Sequence, residues 1–109
     1  IGTFKSANPP STPTLVSPAN GAVLKTLTPK LDWSNSTLPA GTIFKHYELQ
    51  VATNTAFTDA AVYLVNDRMM SDFTLPALTA KTKYYWRVRG RDAAGNWSSW
   101  SKVWKVIKE

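Results

Sequence analysis

The chain has 109 residues, of which 43% are hydrophobic and 18% charged, and it contains seven prolines, five tryptophans and no cysteine. This length suits one domain with its own apolar core, and the missing cysteines exclude disulfides, zinc thiolate sites and thiol chemistry. No stretch reaches the roughly 20 apolar residues that span a bilayer, so we expect no membrane insertion. The N-terminus lacks the apolar core of a signal peptide, and the start at Ile1 suggests a processed or excised chain.

The net charge of +6 is confined to the C-terminal part of the chain. Residues 1–80 hold five basic and five acidic side chains, whereas residues 81–109 hold eight basic and two acidic ones. Such a local excess is typical of a surface for nucleic acid, anionic glycan or membrane, and equally of a solvated strand face. The charge alone does not decide between these interpretations.

Short β-type runs separated by turn signals make up most of the chain. Residues 1–13 are predicted to form an extended linker, because they are rich in proline and show no apolar periodicity. The predicted strands that follow are Thr14–Val16, Pro29–Ser34, Phe44–Thr53, Ala61–Val65, Phe73–Leu75, a long run around Tyr84–Arg89, and Val103–Ile107. Seven short strands with a turn at about every tenth residue predict an all-β fold, a seven-stranded antiparallel sandwich of immunoglobulin-like type. A small barrel is the alternative.

Several motifs occur in the order found in fibronectin type III domains. Leu31-Asp32-Trp33 resembles the second strand of that family, and the run from Leu78 to Tyr84 resembles the corner that opens the sixth strand, with Ala80 where the family usually has proline. The resemblance covers residues 14–107 and implies a domain over 14–109. It implies that Trp33 fills the core, and that Tyr84 is a buried corner tyrosine whose hydroxyl bonds to backbone a few residues upstream.

Other segments resemble the bacterial, extracellular branch of the family, which occurs as tandem modules. These segments are Ser17–Gly21, Gln50–Thr53 and Ala94–Asn96. The resemblance implies a secreted or cell-surface location.

A second resemblance concerns the segment Trp97-Ser98-Ser99-Trp100-Ser101, which is similar to the Trp-Ser-x-Trp-Ser box of cytokine-receptor fibronectin modules. In those modules the tryptophans interleave with arginines of the sixth strand. Here the outward positions of the long strand carry arginines about 7 Å apart. We therefore expect the side chains of Arg87, Arg89, Arg91, Trp97 and Trp100 to stack as a ladder. The basic surface is then mainly structural, with an anion-binding face as the alternative.

Candidate catalytic groups are few, since the chain has one histidine and no cysteine. His46 and Glu48 are predicted to face solvent as partners of Arg87 or Arg89 on the neighbouring strand. Asp92 is predicted to cap its own turn. The aspartates lack the spacing of a calcium loop, so we expect no metal and no cofactor.

The sequence thus predicts a non-catalytic fibronectin type III module of a larger secreted or cell-surface protein. Its expected role is that of a spacer and of an adhesion module for protein or surface contacts. The alternative is a carbohydrate-binding accessory module of an extracellular polysaccharide-acting protein, which requires a bare Trp97 or Trp100 ring.

The expected partners are neighbouring domains of the same chain and a polysaccharide or protein ligand. A further alternative is cytokine-type protein recognition, which would require a contact patch at the loops around residues 35–43 and 66–72, containing Phe44 or Met69-Met70. Nucleic acid is not expected, because the arginines and aromatic residues account for each other. The isolated module is expected to be monomeric.

Overall fold

The computed structural model describes residues 9–26 and 28–109, and in this part of the chain there are eight β-strands and no helix. The strands are β1 (Leu15–Ser17), β2 (Ala22–Leu24), β3 (Lys30–Trp33), β4 (Phe44–Ala52), β5 (Ala61–Val65), β6 (Asp72–Thr74), β7 (Thr82–Asp92) and β8 (Trp104–Lys108). None of these residues belongs to an apolar helix long enough to span a membrane.

The strands form two sheets, one in the order β1-β3-β6 and the other in the order β2-β8-β7-β4-β5. All pairs are antiparallel except β2 with β8, which run parallel with Ala22 opposite Val106 and Leu24 opposite Lys108. The predicted all-β, immunoglobulin-like sandwich is confirmed. The predicted count of seven strands was too low by one, since β2 is a three-residue strand that pairs far along the chain.

Alternating apolar residues from both sheets build the core between them. Leu31 and Trp33 of β3 are 0% and 1% exposed, so the predicted place of Trp33 in the core is confirmed. Its ring stands edge-on to Tyr47 of β4, with ring centroids 5.4 Å apart, which is a favourable aromatic geometry. Further buried residues are Leu15, Leu49, Val51, Leu75, Trp86, Val88 and Val106.

Tyr84 lies near the start of β7, where the chain turns into the sheet. Its hydroxyl accepts a hydrogen bond from the backbone N–H of Thr79 at 2.9 Å, which confirms the predicted corner contact. The ring packs against the core but is half-buried, whereas the resemblance implied a buried ring.

The segment 9–13, which the sequence assigned to the linker, packs on the sandwich. Pro10 and Pro13 are buried. The backbone N–H of Ser11 donates to the carbonyl of Thr37 at 3.0 Å, and its hydroxyl accepts from the Thr37 N–H at 2.8 Å. These contacts attach the segment to the loop before β4, so the predicted linker boundary at residue 13 was too late. The rest of the predicted linker, residues 1–8, lies outside the described residues.

Candidate functional site

Strand β7 presents three arginines on the outer face of the five-stranded sheet. Successive side chains of a strand point to opposite faces. Because Trp86 and Val88 are fully buried in the core, Arg87, Arg89 and Arg91 point away from it. All three arginines are nevertheless half-buried, so other residues cover them.

The cover is the segment 97–101, which runs beside β7 before β8 begins. The backbone N–H of Ser98 donates to the carbonyl of Gly90 at 2.8 Å, and that of Ser101 donates to the carbonyl of Val88 at 2.9 Å. In return, the serine hydroxyls accept from the N–H groups of Gly90 and Val88 at 2.9 and 3.0 Å. The two serine hydroxyls therefore accept the hydrogen bonds that backbone carbonyls of a neighbouring strand would otherwise accept, and these bonds attach the segment to β7.

Two indoles of this segment stack with the arginines. The guanidinium carbon of Arg89 lies 3.8 Å from the ring centroid of Trp97 and 4.3 Å from that of Trp100. The Arg87 carbon lies 4.0 Å from Trp100, and the Arg91 carbon lies 5.6 Å from Trp97. Since outward residues of one strand are about 7 Å apart, Trp100 lies between Arg87 and Arg89, and Trp97 between Arg89 and Arg91. The structure thus brings together these five side chains, which we call the ladder.

Phe57 extends the ladder at one end, and sequence reasoning missed it. The Arg87 guanidinium carbon lies 4.1 Å from the Phe57 ring centroid, and Phe57 is 8% exposed. The residue sits in the loop between β4 and β5 with a φ of 55°, a left-handed conformation that is uncommon for a bulky side chain. Its N–H donates to the carbonyl of Asn54 at 3.2 Å, which closes the turn. No periodic pattern marks such a residue in a sequence.

Polar partners on β4 fix two of the arginines. Arg89 donates from Nε and Nη2 to Oε1 of Glu48 at 3.2 and 2.9 Å, and Arg87 donates to Oε1 of Gln50 at 3.1 and 2.8 Å. Gln50 in turn donates to Oε2 of Glu48 at 2.9 Å. Glu48 is only 8% exposed, so its predicted solvent-facing position was wrong, although its pairing with Arg89 is confirmed. The ladder itself shields this carboxylate.

His46 lies under the other end of the ladder and is 7% exposed. Its ring centroid is 5.6 Å from that of Trp97, and it stands opposite Arg91 in the β4–β7 register. Burial, followed by the positive charge of Arg91, lowers the pKa of His46 below its ordinary value. The predicted solvent-facing role beside Arg87 or Arg89 was therefore wrong, because the segment 97–101 folds over this histidine.

Asp92 closes the turn that follows β7. Its Oδ1 accepts from the backbone N–H of Asn96 at 2.8 Å and its Oδ2 from the Asn96 side chain at 3.0 Å, which confirms the predicted cap. The backbone hydrogen bond from Asn96 lowers the pKa of Asp92. Within residues 9–26 and 28–109, no cluster of three or more His, Cys, Asp or Glu side chains could hold a metal ion.

The ladder stabilises the sandwich and offers no open aromatic ring for a ligand. A flat platform for a sugar ring needs an open aromatic face, but the Trp100 ring has a guanidinium on each side and the Trp97 ring lies between Arg89 and Arg91. Both indoles are half-buried. The bare ring required by the carbohydrate-binding alternative is therefore not offered by the ladder.

Comparison with known protein families identifies one whose model matches most of the chain. Residues 11–106 match the family described as "Rha78A-like, N-terminal immunoglobulin domain". The chain belongs to this family. One curated relative is an alpha-L-rhamnosidase of Streptomyces avermitilis. It is 29% identical to this Rha78A-like immunoglobulin domain, and the alignment covers 67% of the domain. The domain covers 8% of that relative.

Solved structures share the fold of this Rha78A-like domain. The crystal structure of the Streptomyces avermitilis alpha-L-rhamnosidase complexed with L-rhamnose superposes with a TM-score of 0.63 at 24% identity, covering 89% of the domain and 10% of that chain. The sixth fibronectin type III domain of human fibronectin type III domain containing protein 3 superposes with a TM-score of 0.62 at 18% identity, covering 98% and 92%. This likeness shows that the sandwich has the fold of fibronectin type III domains.

Proposed function

We propose that the chain is a non-catalytic module of a larger extracellular protein that acts on glycans, in which it holds neighbouring domains at a fixed spacing. The observation that carries this proposal is the match of residues 11–106 to a family of N-terminal immunoglobulin domains. The chain spans only 8% of the curated rhamnosidase and 10% of the solved one. Because the domain corresponds to so small a part of these rhamnosidase chains, an accessory role beside a separate catalytic unit is supported.

The state of its titratable side chains supports the absence of catalysis. General acid–base catalysis needs a group that reaches the substrate. His46 is buried beneath Trp97, and Glu48 is bonded to both Arg89 and Gln50. These groups are engaged by the sandwich itself, which favours a mechanical role for it.

The test uses 4-nitrophenyl α-L-rhamnopyranoside as a soluble substrate. We expect no turnover by the 109-residue chain, and an unchanged kcat/KM when the module is excised from the longer protein to which we assign it. Turnover by the chain alone would refute the non-catalytic role. Loss of kcat in a correctly folded excision variant would refute the accessory role.

Contact with a neighbouring domain is supported by apolar side chains at one end of the sandwich. Ile43, Met69 and Met70 are 71%, 63% and 58% exposed, in the loops before β4 and β6. An Asn35 to Met69 hydrogen bond of 3.6 Å joins these loops, and the segment 9–13 reaches the sandwich at the same loop. Exposed apolar clusters mark contact surfaces.

The double substitution Met69→Ser and Met70→Ser tests this contact in the longer protein. We expect the doubly substituted protein to become more sensitive to proteolysis next to the module, because the interdomain contact loses apolar area. The control is Val23→Ser, which removes a side chain that is 56% exposed on β2, away from these loops. Equal sensitivity of both variants would contradict the assignment of the contact to these loops.

A further inference from the structure

A groove of about 410 Å³ opens between residues 12–15 and residues 100–104. It lies between β1, which belongs to the three-stranded sheet, and residues 100–104, which lead into β8 of the five-stranded sheet. Its apolar lining consists of Pro13, Leu15, Trp100 and Trp104. Sites for small ligands usually measure about 300–1,000 Å³, so this groove accommodates a short ligand.

The polar lining of the groove consists of three hydroxyl groups and one ammonium group, and none of the described residues that line it carries a carboxylate. Thr12, Thr14 and Lys102 are exposed, while the Ser101 hydroxyl is engaged with the backbone of Val88 and Lys102. Among the described residues, Lys102 takes part in no salt bridge. The groove therefore offers a positive charge and several donors without an internal counter-charge.

We propose that this groove binds a short acidic saccharide, with a sugar carboxylate at Lys102 and sugar hydroxyls at Thr12 and Thr14. Charge complementarity favours an anion, since Lys102 is the one charged side chain among the described residues of the lining and the excess of basic residues lies in the same part of the sequence. Pro13, Leu15 and Trp104 supply apolar surface for the C–H groups of a sugar, whereas both faces of the Trp100 ring are occupied by the ladder. The choice of a saccharide over other anions rests on the proposed function, which this inference deepens.

Binding is tested on the 109-residue chain by nuclear magnetic resonance, with trigalacturonate as the probe and its methyl ester as the uncharged match. We expect shifts confined to residues 12–15 and 100–104. We expect the ester to bind about tenfold more weakly or worse, because a charge-assisted contact is lost. Equal affinity for both trimers, or no shift at millimolar trigalacturonate, would overturn the proposal.

Two charge reversals separate the groove from the general basic surface. Lys102→Glu should abolish the shifts, whereas Lys83→Glu, which changes an exposed lysine of β7 outside the groove, should leave them intact. Equal weakening by both variants would assign binding to overall charge and overturn the groove. Tighter binding of hexaglutamate at the same residues would overturn the saccharide class. The excision assay on the longer protein tests the proposed function independently of these results.

Discussion

Replacing Trp100 with alanine removes the indole that lies between Arg87 and Arg89. Each guanidinium contact contributes about 0.5–2 kcal/mol, depending on its exposure. A fully buried tryptophan replaced by alanine costs about 3–5 kcal/mol, and Trp100 is only half-buried. We therefore expect the free energy of unfolding to fall by about 2–4 kcal/mol, a large share of the roughly 5–15 kcal/mol typical of a domain.

The assay is urea unfolding followed by far-ultraviolet circular dichroism, combined with a double-mutant cycle. The cycle pairs Trp100→Ala with Arg87→Met. Arg87 is chosen because it hydrogen-bonds to the uncharged Gln50, so its replacement breaks no salt bridge among the described residues. We expect a coupling energy of about 0.5–2 kcal/mol. A parallel cycle pairs Trp100→Ala with Lys83→Met, which removes an exposed positive charge outside the ladder. The two losses of unfolding free energy should add in that cycle.

Two results would refute this account of the ladder. One is a loss below about 1 kcal/mol for Trp100→Ala with an unchanged dependence on urea. The other is a coupling energy below about 0.3 kcal/mol between positions 87 and 100. Either result would mean that the indole and the guanidinium groups lie together without stabilising the sandwich.

Three further changes probe the contacts around the ladder and the core. Ser101→Ala leaves the N–H of Val88 without its side-chain acceptor and should lower the free energy of unfolding in urea by about 1–3 kcal/mol. The control Ser99→Ala changes an exposed serine and should leave that free energy almost unchanged; equal losses in both variants would contradict the role of the Ser101 hydroxyl. Tyr84→Phe removes one corner hydrogen bond and should lower the free energy of unfolding by about 0.5–1.5 kcal/mol, and an unchanged midpoint would count against that bond. Because the pKa of His46 is lowered in the folded chain, the unfolded chain binds the proton more readily. Its contribution to stability is therefore present above about pH 6.5 and is lost as the pH falls from there through the lower folded pKa. His46→Gln should flatten this part of the pH profile, and a profile unchanged by the substitution would assign the slope to other groups.

Strand positions were predictable where side chains alternate in the sequence. Phe44–Thr53 was predicted from this alternation against the observed Phe44–Ala52, whereas Ala61–Val65, an uninterrupted apolar run, was predicted with its observed bounds. β2 could not be predicted, because three residues carry no usable period and the strand exists only through its pairing with β8.

The same distinction applies to the site. The shared face of the three arginines follows from the two-residue period of a strand. The place of Phe57 depends on a left-handed turn, and the burial of His46 and Glu48 depends on a segment that arrives from far along the chain. These features are set by tertiary contacts, which a local pattern does not contain.

The parallel pairing of β2 with β8 determines how the module carries mechanical tension. The pair is extended at both ends, where the Gly21 N–H donates to the Lys105 carbonyl at 2.8 Å and the Glu109 N–H donates to the Leu24 carbonyl at 2.9 Å. The chain enters β2 at one end of the pair and leaves β8 at the other. Once residues 9–13 and β1 are detached from the three-stranded sheet, tension between β2 and the end of β8 shears all the hydrogen bonds of the pair together instead of opening them one by one. The pair therefore acts as a clamp that resists separation of β2 from β8 along the strand direction.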